Sequence, residues 1–141
     1  MEDSPRRRAR ELVLKRLYAA EIGEIESDEV IERVVDEKAL SKKNVEYARE
    51  FFLLVQKRAS WADEIIASLA ENWDVDRVAA IDRIIIRMAL VELEKMPDVP
   101  VKVVINEAIE LGKKYSTHGS SSFINGILDR FVRDRELSAG S

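Results

Sequence analysis

The most distinctive chemical feature of the sequence is a run of four arginines, Arg6, Arg7, Arg8 and Arg10, within five consecutive positions. Apolar spacing places this run at the start of a helix, where the helix dipole favours anions over cations. Each crowded cation there costs up to about 1 kcal/mol at low salt. A bound phosphate would offset that cost, because guanidinium groups donate paired hydrogen bonds to its oxygens. The run thus indicates nucleic-acid binding, although the residues alone leave open a merely solvated basic face.

Two further sets of side chains could support such a site. Tyr18 follows Arg10 by a little over two helical turns, so its ring flanks the arginine face and could stack on an unpaired base. A Tyr in that place is equally typical of the edge of a core. Asp82, Arg83 and Arg87 interrupt an otherwise apolar helix, and the two arginines share a face. They indicate either a structural ion pair or a stripe that binds a partner.

The composition excludes several kinds of catalytic and metal site. The chain has no Cys, which removes disulfides, Cys-ligated zinc and iron–sulfur clusters, and its one His is His118. The serines beside His118 lack the Gly-x-Ser-x-Gly pattern of a nucleophile elbow, and no strand is predicted to hold one. Serines ahead of a helix are typical caps. We therefore predict no enzyme activity, no metal site and no cofactor.

Charge is distributed unevenly along the chain, whose net charge is −4. Residues 1–20 carry six basic and three acidic side chains, whereas residues 21–50 carry five basic and ten acidic ones. Such a molecule could bind an anion at one patch and a basic partner at another surface. No apolar run is long enough to span a membrane, and no signal-peptide core is visible at the N-terminus. We expect a cytoplasmic protein with no membrane partner.

These side chains must be positioned by helices, because apolar residues recur at helical spacing almost throughout and Gly and Pro are scarce. The predicted helices span about 6–22, 28–38, 42–58, a segment after Ser60, 77–95, 100–115 and 121–135. The fifth is apolar nearly all round, which predicts a central position. The sequence therefore predicts an all-α fold of about seven helices in one domain, residues 1–141. A boundary between two sub-bundles is expected near 74–77, where Asp74 or Asp76 would cap the fifth helix.

A glycine inside the last predicted helix is also informative. Gly126 costs about 1 kcal/mol relative to Ala in a helix interior. We predict that it permits the close approach of another helix or exposes backbone to a ligand.

Several separated blocks of the sequence resemble the NusB family of transcription antitermination factors. The blocks are Arg6–Glu11 with Leu17–Tyr18, Asn72–Trp73, Asp76–Arg77, Ile81–Ala89 with Glu92–Leu93, Val99–Leu111 and Phe123–Asp129. They follow the family's order and cover about residues 5–133. The resemblance implies an all-helical fold of two packed three-helix bundles plus one helix.

The same resemblance implies a non-catalytic role. It implies binding of the boxA element in the leader of ribosomal RNA transcripts, together with NusE, a ribosomal protein, within an antitermination complex on RNA polymerase. The RNA contacts that it implies are Arg6, Arg7, Arg8, Arg10, Tyr18, Asp82, Arg87 and Phe123. The loop 118–122 departs from the acidic residue, Ser and Lys or similar polar residue that family members often carry before Phe123.

Two alternatives to direct RNA binding remain at the level of sequence. The chain could be a helical protein-interaction module whose basic arm is incidental. Exposed apolar side chains on the first helix could also meet a second copy, so that a homodimer hides the arginines.

Overall fold

The computed structural model of the chain describes residues 5–23, 41–70, 79–117 and 119–140. Within those ranges every regular element is an α-helix, and no strand occurs. The helices, numbered in chain order, are α1 (Pro5–Glu21), α2 (Lys42–Lys57), α3 (Ala59–Leu69), α4 (Ala80–Lys95), α5 (Val101–Tyr115) and α6 (Ser120–Gly140). The predicted all-α fold is confirmed. The helix predicted at 28–38 and the boundary predicted near 74–77 lie outside the described residues.

The chain divides into two compact units, Met1–Lys57 and Arg58–Ser141. In the first unit α1 packs along α2, and the N-terminal ends of the two helices lie side by side. The buried apolar residues of α1 are Ala9, Leu12, Val13, Leu14 and Leu17, and those of α2 are Ala48, Phe51, Phe52 and Val55. Because this packing fixes the rotation of α1 about its axis, it also decides where each arginine of the run points.

In the second unit α4 is the central helix, as its all-round apolar sequence predicts. It packs against α3, α5 and α6. Ile84, Ile85, Ile86 and Leu90 are at most 1% exposed, although they point in different directions around the helix. Burying side chains of this size stabilises the unit by about 1.5–3 kcal/mol each.

The beginning of α4 differs from the prediction. The helix begins at Ala80 rather than near residue 77, and Ala79 at the N-cap makes no side-chain hydrogen bond. Asp74 and Asp76, which we predicted as caps, lie outside the described residues. A carboxylate in the first turn, that of Asp82, instead complements the positive end of the helix dipole.

The glycine that allows close helix packing is Gly112 of α5, not Gly126 of α6. A Cβ built on Gly112 would lie 2.8 Å from the Ile124 Cδ1 atom, whereas one on Gly126 meets nothing within 4 Å. Of the two roles predicted for Gly126, the close approach of another helix is therefore wrong, whereas backbone exposed to a ligand stays a prediction, since the position is exposed. The sequence shows that a glycine lies inside a helix, but it does not show whether another helix packs against that glycine.

The two glycines give opposite stability predictions. Gly112→Ala should lower the free energy of unfolding by about 2 kcal/mol, because the added methyl group forces Ile124 or the helix backbone to move. Gly126→Ala should raise it by up to about 1 kcal/mol, because the site is open and Ala is the better helix former. Denaturant unfolding of both variants is the measurement, and destabilisation by Gly126→Ala would contradict the packing described here.

None of the described helices combines the length and the apolar content that crossing a membrane requires.

Candidate nucleic-acid interface

The arginine run occupies the first two turns of α1, which has no acidic residue in its first turn. Successive residues turn by about 100°, so the four guanidinium groups cannot share one face. Arg8 is exposed, Arg6 and Arg7 are half-buried, and Arg10 is 4% exposed. The first three are thus the residues of the run that a ligand can reach.

Arg6 is held against α2 by two contacts. Its Nε–H donates to the Asn44 Oδ1 atom at 2.9 Å, and its guanidinium carbon lies 3.7 Å from the centre of the Tyr47 ring. Asn44 is itself buried, and its Nδ2 atom donates to the Ser41 hydroxyl at 3.1 Å. The side chain of Arg6 therefore has a defined orientation, whereas an exposed arginine ordinarily samples many rotamers.

Arg10, one turn after Arg6, also points toward α2. Its guanidinium carbon lies 5.9 Å from the Tyr47 ring centre. Arg10 is buried beside Tyr47, so in this conformation its side chain packs between α1 and α2. Its predicted RNA contact stays a prediction. Tyr18 lies near the other end of α1 and is 36% exposed, which leaves its ring able to contact a partner.

Asp82 is buried and serves as a hydrogen-bond acceptor for the segment between α5 and α6. The Ser120 hydroxyl donates to its Oδ2 atom at 2.9 Å, and the Ser116 hydroxyl donates to its Oδ1 atom. The two hydroxyls are 2.9 Å apart. Besides the capping role predicted for one serine of this segment, the hydroxyls of Ser116 and Ser120 tie the segment to the first turn of α4.

Arg87 forms a bidentate ion pair with Asp63 of α3. Its Nε and Nη2 atoms donate to the two carboxylate oxygens at 2.8 Å each. The Arg87 side chain is 15% exposed and that of Asp63 is 36% exposed, so the pair is partly shielded from water. Of the two interpretations left open by the sequence, the structural ion pair is the one that this geometry supports.

Phe123 lies in the first turn of α6, three residues after Ser120, and is half-buried. Gly119, just before the helix, has a φ of 95°, which a residue with a Cβ adopts only with strain. The hydrogen-bonded group of Asp82, Ser116 and Ser120, called here the Asp82 cluster, lies at the start of α6 together with this glycine. Both help to set where α6 begins and so where Phe123 lies. The side chain of His118 lies outside the described residues.

The candidate residues therefore form two sets, one in each compact unit. Arg6, Arg7, Arg8, Arg10 and Tyr18 lie on α1, and Asp82, Arg87 and Phe123 lie in the second unit. In the described part of the chain, no cluster of acidic, His or Cys side chains could hold a metal ion.

Sequence reasoning missed the residues that orient Arg6. Asn44 and Tyr47 are three apart, so they share a face of α2, and Ser41 precedes them at the start of the helix. That spacing is visible in the sequence. What the sequence does not show is that this face of α2 meets the first turn of α1.

Comparison with known proteins gives consistent results. The sequence model of the NusB family matches residues 7–133. A protein of Salinibacter ruber named transcription antitermination protein NusB is 42% identical over 135 residues, which covers 93% of this chain and 82% of the relative.

Solved structures share the fold. The structure of Thermotoga maritima NusB has a TM-score of 0.84 and 34% identity, and it covers 94% of this chain and 93% of that one. A structure of antitermination factors NusB and NusE in complex with double-stranded RNA has a TM-score of 0.81 at 24% identity, covering 92% of this chain and 97% of that one.

Proposed function

The chain belongs to the NusB family of transcription antitermination proteins, which are not enzymes, and we propose that it acts by binding the boxA element of ribosomal RNA leaders together with NusE. The observation that carries the proposal is the arginine run at the start of α1. Arg6, Arg7 and Arg8 can reach a ligand there, in a helix turn that has no acidic residue.

The electrostatics of α1 favour an anionic ligand with several charges. Three cations at the positive end of a helix dipole repel one another and the dipole, and RNA phosphates relieve both repulsions. Tyr18 and Phe123 supply rings on which unpaired bases could stack, which is how proteins commonly bind single-stranded RNA. We propose structural roles for Arg10, Asp82 and Arg87. Arg10 is buried beside Tyr47, Asp82 accepts hydrogen bonds from two serines, and Arg87 pairs with Asp63.

The acidic charge of residues 21–50 would suit a basic partner such as NusE. Ribosomal proteins are typically basic, and residues 21–50 of this chain carry ten acidic side chains against five basic ones. Charge complementarity would speed the association and orient the partner. In this proposal the complex of chain, NusE and RNA acts in the cytoplasm within an antitermination assembly on RNA polymerase.

Binding to boxA RNA and to a scrambled RNA of equal composition, with and without NusE, tests the proposal. We expect tighter binding to boxA and a further gain when NusE is present. With three phosphate contacts to a single strand, log affinity should fall with log salt at a slope of about −2. Equal affinity for the two RNAs, or a slope near zero, would contradict the proposal.

A protein-interaction module without direct RNA binding is the second candidate. It is favoured by Tyr18 and Ile22, which are four residues apart near the C-terminal end of α1 and are 36% and 46% exposed. Such a surface could meet another protein or a second copy of this chain. This candidate predicts that partner binding is unchanged, and RNA binding is absent, whatever residues replace the arginines.

A further inference from the structure

We propose that Asn44 and Tyr47 of α2 are positioning residues that orient Arg6 for phosphate recognition. Nothing in the family resemblance assigns them this role. The inference rests on the proposed RNA binding and adds to it the residues that prepare one arginine for its ligand.

A hydrogen bond to Asn44 holds one edge of the Arg6 guanidinium group. Arg6 donates its Nε–H to the Asn44 Oδ1 atom at 2.9 Å. A guanidinium group has two edges that can form paired hydrogen bonds, and this contact occupies a nitrogen of the inner edge. The outer edge, formed by the two Nη groups, is the fork that matches two oxygens of a phosphodiester.

The Asn44 amide itself has a fixed orientation. Its Nδ2 atom donates to the Ser41 hydroxyl at 3.1 Å, and its backbone N–H donates to the same oxygen at 3.3 Å. Since the amide nitrogen faces Ser41, the amide oxygen must face Arg6. Asn44 is 9% exposed, so water offers little competition for that oxygen.

The Tyr47 ring lies beneath the Arg6 guanidinium group. The guanidinium carbon of Arg6 lies 3.7 Å from the centre of the Tyr47 ring, within the range of a cation–π contact. Phe51 packs against Tyr47 with ring centres 5.6 Å apart, which limits the movement of the ring. The guanidinium group of Arg6 is thus held at its inner edge and on one face. Binding of RNA therefore costs less side-chain entropy than it would with a freely rotating arginine.

A double-mutant cycle on boxA RNA affinity separates positioning from general stability. Asn44→Ala should weaken binding about fivefold, the effect of freeing one long side chain. Tyr47→Leu should weaken it about threefold, whereas Tyr47→Phe, which keeps the ring, should have little effect. In an Arg6→Ala background, Asn44→Ala and Tyr47→Leu should each change affinity by less than about 1.5-fold, because their effects act through Arg6.

The controls make each outcome decisive. Asn106→Ala, at an exposed site on α5, is the matched control for removal of an amide and should leave affinity unchanged. If Asn44→Ala loses helical content, Ser41→Ala is the milder variant, and we expect about a twofold loss from it.

Equal losses with and without Arg6 would show a merely structural role and overturn the inference. Unchanged affinity in the Asn44→Ala and Tyr47→Leu variants, together with a loss in Arg6→Ala, would overturn the inference and leave the proposed function standing. Unchanged affinity in Arg6→Ala would show that Arg6 does not bind the RNA, and it would overturn the inference.

Discussion

Replacing Arg6, Arg7 and Arg8 together with alanine should weaken the binding of boxA RNA at least about 100-fold, since each lost charge-assisted contact is worth about 1 kcal/mol or more. The slope of log affinity against log salt should also fall from about −2 towards zero. Fluorescence anisotropy with labelled RNA at several salt concentrations measures both quantities.

The fold should tolerate this triple substitution. Removing cations from the first turn of α1 relieves their repulsion with the helix dipole, which compensates for the lost hydrogen bond between Arg6 and Asn44. A variant with the same change in net charge, Lys95→Ala with Lys102→Ala and Arg133→Ala at exposed sites, is the matched control. A similar loss of RNA affinity in both variants would point to net charge alone and contradict a local site.

Replacing Asp82 with alanine should lower the free energy of unfolding of the second unit by about 3 kcal/mol. The substitution removes a charged acceptor from two hydroxyl groups, those of Ser116 and Ser120, and removes the carboxylate from the first turn of α4. Denaturant unfolding followed by tryptophan fluorescence is a suitable measurement, because both tryptophans fall within the sequence of this unit.

An exposed carboxylate provides the control for Asp82. Asp129 on α6 pairs with Arg133 one turn later, and both side chains are about half or more exposed. Asp129→Ala should therefore cost at most about 0.5 kcal/mol. A comparable loss of stability from the two substitutions would mean that the Asp82 cluster contributes little, and the start of α6 would need another explanation.

The pattern of apolar residues placed most ends of the described helices, but α4 begins at Ala80 rather than near 77 and α6 ends at Gly140 rather than near 135. It predicted α1 at about 6–22 and α2 at about 42–58, within a residue of the observed ends. It also predicted the burial of α4, because Ile84, Ile85 and Ile86 could not all be buried on one face of a surface helix. These features depend on local spacing, which a single sequence contains.

The details of the site depended on contacts between helices, which the sequence does not contain. The arginine run was visible, but the burial of Arg10 follows from how α1 packs on α2. The local preference of Ser for helix caps is visible in the sequence, but the hydrogen bonds that Ser116 and Ser120 donate to Asp82 on α4 are not. In each case the missing information is the partner on another helix.

The most direct test of the proposed function is a crystal structure of the chain bound to boxA RNA and NusE. We predict that the Nη atoms of Arg6 lie about 2.8 Å from phosphate oxygens while its Nε–H still donates to Asn44. Arg7 and Arg8 should contact neighbouring phosphates. RNA bound at another surface, with these three side chains facing solvent, would contradict the account.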